Sequence, residues 1–281
     1  MNDSQHKFKA MSPSVDKPGW PIWIISLPDA TARREAVAEQ FDRLRLQYSF
    51  INAVDGRRGL APEFERDVDR PGTVARHGYG MSDGEYACAL SHQLAYKKLL
   101  DEGLPGAIIL EDDVILTQRF GDFYADRNYE AAPLIQLFFF DAAVWRGRGI
   151  FVPCTRLERL FASAWMAVGY SISRGAATRM RHHSLPLRSR ADWPCDTANL
   201  IGHYVAIPRI VLHPPPERSQ STLGATRDNV LPAGFDFNAR YAKGWRRLFS
   251  LASWRRLLMR PFTRRIHVGF EPTAEEVKGG P

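Results

Sequence analysis

The stretch "WPIWIISLPDATARREAVAEQFDRLRLQYSFINAVDG", residues 20–56, decides the fold class. It opens with a dense apolar run punctuated by Pro21 and Pro28, the pattern of a buried strand. "DATARREAVAEQFDRLRL" follows with helical spacing that puts Val37, Phe41 and Leu44 along one side, with Asp29 or Thr31 placed to cap its start. "QYSFINAVDG" reads as a second strand closed by an Asp-Gly turn. Strand, helix and strand in direct succession predict an α/β domain with a parallel sheet.

Further along, "APEFERDVDRPGTVARHGYG" (61–80) is polar and rich in breakers and reads as an irregular loop. "SDGEYACALSHQLAYKKLLDEG" (82–103) reads as a helix, with Ser82 and Glu85 spaced as a capping box and Gly103 ending it. "LPGAIILEDDVIL" (104–116) and "PLIQLFFFD" (133–141) read as strands. "SAWMAVGYSISRGAATRMRHH" (163–183) divides into a strand, a turn and a helix from about Arg174, and "HYVAIPRIVLHPPP" (203–216) is a last strand-like piece. "RGRG" (146–149) reads as a loop.

The 281 residues suit one large domain or two modest ones, with 44% hydrophobic and 25% charged residues, the composition of a globular protein. Three cysteines, Cys88, Cys154 and Cys195, have no pairing pattern, which argues against a disulfide framework and for a reducing compartment. The first 19 residues are polar, lack the apolar core of a secretion signal and are expected to be disordered. No run approaches the roughly 20 apolar residues of a membrane span.

The net charge of +7 sits at one end of the chain. Between Asp236 and Glu271 there are nine Lys or Arg and no acid, so the rest of the chain carries about −2. This predicts residues 20–235 as the main domain and 236–281 as a basic, helical tail. Arginine pairs interleaved with Trp, Phe and Leu in "YAKGWRRLFSLASWRRLLMRPFTRR" (241–265) suit an anionic membrane surface. A helix packed on the domain is the other reading. Nucleic acid is not an expected partner, because no nucleic-acid-binding motif accompanies the charge.

Candidate chemistry centres on "AIILEDDVIL" (107–116), where an apolar strand runs into Glu111, Asp112 and Asp113. Side chains alternate along a strand, so Glu111 and Asp113 share one face and Asp112 takes the other. Paired carboxylates suit a hard divalent cation bound through oxygen, and open α/β sheets bind ligands beyond the carboxyl ends of their strands. A solvated strand end is the plain alternative.

"IISL" followed by "RRE", then "AVDG", "GEYACALSH", "AIILEDDVIL", "VGYSISRGAA" and "ADW" occur in one order between about Ile22 and His213. In that order they resemble glycosyltransferase family 25 of bacterial lipopolysaccharide and lipooligosaccharide synthesis. The resemblance implies a GT-A-like nucleotide-diphospho-sugar transferase domain with a mostly parallel central sheet. It also implies a UDP-sugar donor, Mn²⁺ or Mg²⁺, and a galactosyltransferase-like, inverting transfer to a lipid-linked glycan. The chain would then work in the cytoplasm, peripheral to the inner membrane. A catalytically silent glycan- or membrane-binding scaffold and a relative using UDP-glucose or a UDP-N-acetylhexosamine are the alternatives.

On this resemblance Asp113 is the first metal ligand, with Glu111, Asp112 and His213 as further candidates. Ser26, Leu27 and Pro28 leave the first strand and Asp55 and Gly56 the second, so these residues, with Arg33, are expected at the nucleotide; alone, Asp-Gly reads as a turn. Arg34 reads as a second phosphate contact or a solvated arginine. Ser91 and His92 are expected to line the site, although a lone helical His is as often a satisfied buried group. Asp192 is the expected general base, with Asp196 and Glu85 as alternates and Trp193 either a sugar platform or core.

Overall fold

In the computed structural model, which describes residues 18–215, 251–273 and 276, the opening stretch folds as its periodicity predicts. Ile22–Ser26 forms β1, buried at every position. Thr31–Leu44 forms α1, which buries Val37 and Phe41, and Ser49–Asn52 forms β2. The cap of α1 differs from expectation: Ala30 holds the N-cap position without a side-chain bond, and Asp29 pairs with Arg57 instead.

The breaker-rich stretch expected to be a loop contains two short helices, α2 (Pro62–Glu65) and α3 (Arg70–His77). Their prolines fall in the first turn, where a fixed φ and a missing N–H suit a helix, and the Asp69 side chain caps α3. Breakers read as loop signals were here helix starts. α4 (Asp83–Asp101) begins with the expected Ser82–Glu85 capping box.

β3 (Gly106–Glu111) is buried up to Glu111, and β4 (Ile115–Leu116) and α5 (Gln118–Ala125) follow. Then come β5 (Leu134–Gln136), a hairpin of β6 (Asp141–Val152) and β7 (Thr155–Ala162), β8 (Gly169–Ser173), α6 (Arg174–Ser184) and α7 (Thr197–Leu200). β9 (His203–Ile207), β10 (Val211–Leu212), α8 (Leu251–Met259) and β11 (Thr263–His267) complete the order. "RGRG" lies inside β6, not in a loop.

Nine strands form one sheet in the order β11-β6-β7-β9-β5-β8-β3-β1-β2, and β4 pairs with β10 apart from it. β2–β1–β3 and β5–β9 are parallel, as the opening predicts. The other pairings are antiparallel, so the sheet is mixed. Alternation divides the buried strands between two layers. Ile22, Ile24, Ile108 and Leu110 pack with Val37 and Phe41 of α1. Trp23, Ile25 and Ile109 face the other way, with Tyr96 and Leu99 of α4 and Met180 of α6. The three cysteines are not joined in disulfides.

The expected boundary before residue 236 does not end the sheet. β11 adds its edge strand along β6, Arg264 pairs with Glu158, and Arg265 pairs with Asp141. Glu276 reaches Arg209 in an ion pair in which both side chains are about 1% exposed. Hydropathy could not place these residues, because their partners lie 60 or more positions away. Residues 1–17 of the expected N-terminal segment, and 236–250 with most of 274–281 of the expected tail, lie outside the described residues.

Candidate functional site

Parallel register brings the carboxyl ends of β1, β2 and β3 side by side, with Ser26 opposite Asn52 and Ile25 opposite Glu111. A cleft of about 800 Å³ opens there, against the first turns of α4. Ser26, Leu27, Arg33, Asp55, Gly56, Ser91, His92 and all three acids of "EDD" line it. The sequence had placed these residues together, whereas Pro28 does not line the cleft.

The three acids separate by partner. Asp112 is 8% exposed, and both its oxygens are taken: Oδ2 accepts from the Ser26 hydroxyl at 2.6 Å, and Oδ1 meets Arg33 at 3.0 Å. Burial raises its carboxyl pKa against the pull of those partners. Asp112 therefore ties the end of β3 to β1 and α1 through contacts that occupy both its oxygens. Asp113 has one oxygen 3.2 Å from His213 Nε2, while its Oδ1 is buried without a partner. The pairing forms because His213 follows β10, which runs antiparallel to β4 just beyond the acids.

Glu111 Oε1 lies 3.3 Å from His92 Nε2, whose Nδ1 is 2.7 Å from the Tyr170 hydroxyl, itself 2.8 Å from that of Tyr96. Loss of water raises the Glu111 carboxyl pKa; the His92 bond opposes this, and the charges of Asp113 and Asp192 add to it. Burial also lowers the affinity of His213 for a proton, but the bond and charge of Asp113 more than offset this and raise its pKa. The unpartnered Asp113 oxygen and the Glu111 carboxylate are hard oxygen donors of the kind Mn²⁺ or Mg²⁺ takes. Cys88, His92 and Glu111 also bring ligand atoms within 4.8 Å of one another.

On the β2 side the Ser91 hydroxyl donates to Ala87 O and accepts from Val54 N at 2.9 Å, holding the "VDG" turn against α4. Gly56 serves this contact, since a Cβ there would lie 2.4 Å from Asp83 O. Asp55 is held down to about 2 by its bonds from the Arg57 side chain and backbone. Arg57 also lines the cleft, and sequence reading missed it, although it follows "VDG" directly. Arg34 donates to Ser26 O, Leu27 O and Asn52 Oδ1.

Two expected catalytic acids make helix-capping contacts. Glu85 closes the capping box and pairs with Arg190 at 2.7 Å. Asp196 caps α7 and lines a separate cavity with Arg76 and Arg255. Asp192 differs: its Oδ1 accepts from Ala167 N at 2.9 Å, and its charge reaches Glu111. Trp193 is core, edge-on to Tyr170 and His203.

Of the expected membrane-facing residues, Arg255 donates to Asn199 and stacks on Phe161. Trp254, Leu257, Leu258 and Phe262 are more than half exposed. No described helix is long and apolar enough to cross a membrane.

Comparison with known proteins gives this geometry a family. The model of glycosyltransferase family 25 (LPS biosynthesis protein) matches residues 20–197. The chain is 33% identical over 162 residues to the lacto-N-neotetraose biosynthesis glycosyltransferase LgtB of Neisseria meningitidis serogroup B, covering 54% of this chain and 58% of that one. It is 27% identical over 179 residues to the lipooligosaccharide biosynthesis protein lic2B of Haemophilus influenzae, covering 59% and 64%. It is also 30% identical over 121 residues to procollagen galactosyltransferase 1 of Danio rerio, covering 42% and 19%. The chain thus spans less than two thirds of the length of each of these relatives.

Proposed function

Because the chain belongs to glycosyltransferase family 25, we propose that it transfers a hexose, galactose first, from a UDP-sugar to a lipooligosaccharide-type or related glycan, with inversion at the anomeric carbon. One observation carries the reading: at the carboxyl edge of the parallel strands, Asp112 is consumed by Ser26 and Arg33, while Asp113 keeps a buried oxygen without a partner.

Asp113, with Glu111 and His213, is the set that would hold Mn²⁺ or Mg²⁺, which when bound supplies Lewis-acid stabilisation of the charge on a departing diphosphate. The chain's own residues do the rest. Arg33, fixed against Asp112, puts positive charge on the cleft wall for an anionic donor. The "VDG" turn, pinned by Ser91, presents Asp55 to the hydroxyls of a nucleoside. The chain from Tyr96 through Tyr170 and His92 holds the Glu111 carboxylate in one orientation at the cleft floor.

Asp192 is the proposed general base. Ala167 N fixes its Oδ1, which leaves Oδ2 to take the proton of the acceptor hydroxyl as that oxygen bonds to the anomeric carbon. The exposed apolar residues of α8 and Phe262, beside Arg260 and Arg264, suit docking to an anionic membrane, consistent with a lipid-linked acceptor at the cytoplasmic face.

The test is a panel of UDP-galactose, UDP-glucose and UDP-N-acetylhexosamines with Mn²⁺, read by thermal shift and by UDP release. UDP-galactose should raise the melting temperature and be turned over fastest. No shift and no UDP release with any of these donors would overturn the reading.

A further inference from the structure

We propose that Trp165, on the loop between β7 and β8, is the platform on which the acceptor sugar stacks; the acceptor role rests on the transferase reading above. Trp165 is 52% exposed, although a large aromatic gains most by burial. Its backbone is bonded to the core. The fully buried Gln136 donates through Nε2 to the carbonyls of both Trp165 and Met166, each at 2.7 Å. Met166 takes φ of +77°, a left-handed conformation that costs a non-glycine residue energy and persists where its surroundings impose it.

The same loop is bonded to the Asp192 carboxylate and to the backbone of Glu111. Ala167 N donates to Asp192 Oδ1 at 2.9 Å, and Val168 O accepts from Glu111 N at 2.8 Å. Trp165 is three residues from Val168, so its Cα lies within about 10 Å of that strand end. It does not line the donor cleft, whose walls come from β1, β2, β3 and α4. On its other side, Ser163 lines the polar cavity of about 690 Å³ that holds Arg76, Asp196 and Arg255.

An exposed indole on a pinned backbone, two residues from the amide that holds the proposed general base and outside the donor cleft, suits one ligand class in particular. The C–H face of a pyranose is apolar and slightly positive, so it stacks on the negative face of an indole, while its hydroxyls remain free for polar partners. A sugar on Trp165 would place one hydroxyl toward Asp192 and leave the preceding residues of a glycan to run toward the Arg76–Arg255 cavity. Holding the loop still means that little ordering entropy is lost on binding.

The experiment compares wild type, Trp165→Ala and Trp165→Phe with methyl glycosides of glucose, galactose and N-acetylglucosamine as acceptors. In transfer from UDP-galactose, Trp165→Ala should raise the acceptor KM about tenfold or more while the donor KM holds, and Trp165→Phe should restore most of the affinity. An unchanged acceptor KM in Trp165→Ala, or equal loss in both variants, overturns the platform. Saturation-transfer NMR with the same glycosides reads binding without turnover. At least one should give a signal on wild type that Trp165→Ala loses, and equal or absent signals overturn the proposal. A chain that binds the glycosides through Trp165 but releases no UDP from any donor would refute the transferase reading alone.

Discussion

The Ser26 hydroxyl donates to Asp112 Oδ2 at 2.6 Å across the seam between two parallel strands. With Arg33 on the other oxygen, both oxygens of Asp112 are held, and Asp113 is the acid proposed to act in the cleft. Asp112→Ala should cost roughly 1–3 kcal/mol in urea unfolding, because it strands the partly buried Arg33 and the Ser26 hydroxyl. A variant as stable as wild type would contradict the structural role.

Asp113→Asn should behave in the opposite way. It removes a charge that raises the pKa of Glu111 but also gives up the charged bond to His213, so the two effects oppose each other and stability should change little. UDP release from the donor should fall by about 10²-fold or more, the scale of losing a group that stabilises transition-state charge. Equal turnover by the two proteins in the same Mn²⁺ titration would remove Asp113 from the site.

Gly56 separates a turn from a helix by the width of one methyl group. In Gly56→Ala the new Cβ would meet Asp83 O at 2.4 Å, and backbone must move to relieve it. A loss of about 1–3 kcal/mol is expected, as for other overpacked sites, together with a raised donor KM through the displaced Asp55. Normal stability with a normal donor KM would show that the turn has slack the structure does not suggest.

Stability should fall as pH is lowered from about 6.5 toward 3, in part because of His203. Burial holds this imidazole neutral in the fold, with its pKa lowered from 6.5 to about 3. Below 6.5 the unfolded chain takes up a proton that the folded chain refuses, so the contribution is complete above 6.5 and is lost on acidification. In His203→Gln the slope of unfolding free energy against pH should flatten between pH 6 and 4.5, by up to about 1.4 kcal/mol per pH unit. Parallel pH profiles would exclude His203 as the source.

Arg209 and Glu276 form the deepest ion pair among the described residues, and Arg209 also donates to the carbonyls of Gly269 and Glu271. Glu276→Gln should cost about 3–5 kcal/mol, because a buried guanidinium loses its counter-charge. The double variant Arg209→Met with Glu276→Met should recover much of that loss. If Glu276→Gln unfolds at the wild-type urea midpoint, the pair does not anchor the C-terminal segment.

Legibility followed the range of the interactions. The β1–α1–β2 opening, the capping box on α4 and the helix from Arg174 could be read because each depends on neighbours within a few positions. Alternation along "AIILEDDVIL" assigned the three acids to two faces, but the strand ends at Glu111, with Asp112 and Asp113 in the turn beyond it, and all three line the cleft. What alternation could not say was which face met a partner. Glu85 satisfied its own capping box as read, while its pairing with Arg190, 105 positions away, could not be read from spacing.

The sequence by itself determined the α/β class, the family and the strand end where the acids gather, since periodicity and local motifs are properties of adjacent residues. Only the tertiary structure decided which acid Ser26 and Arg33 hold, that His213 faces Asp113, that the basic end adds a strand to the sheet, and that a loop pinned by Gln136 bonds Asp192 through Ala167 N. Those facts depend on pairings between residues up to about 120 positions apart, which parallel crossovers and antiparallel returns bring together and linear spacing does not encode.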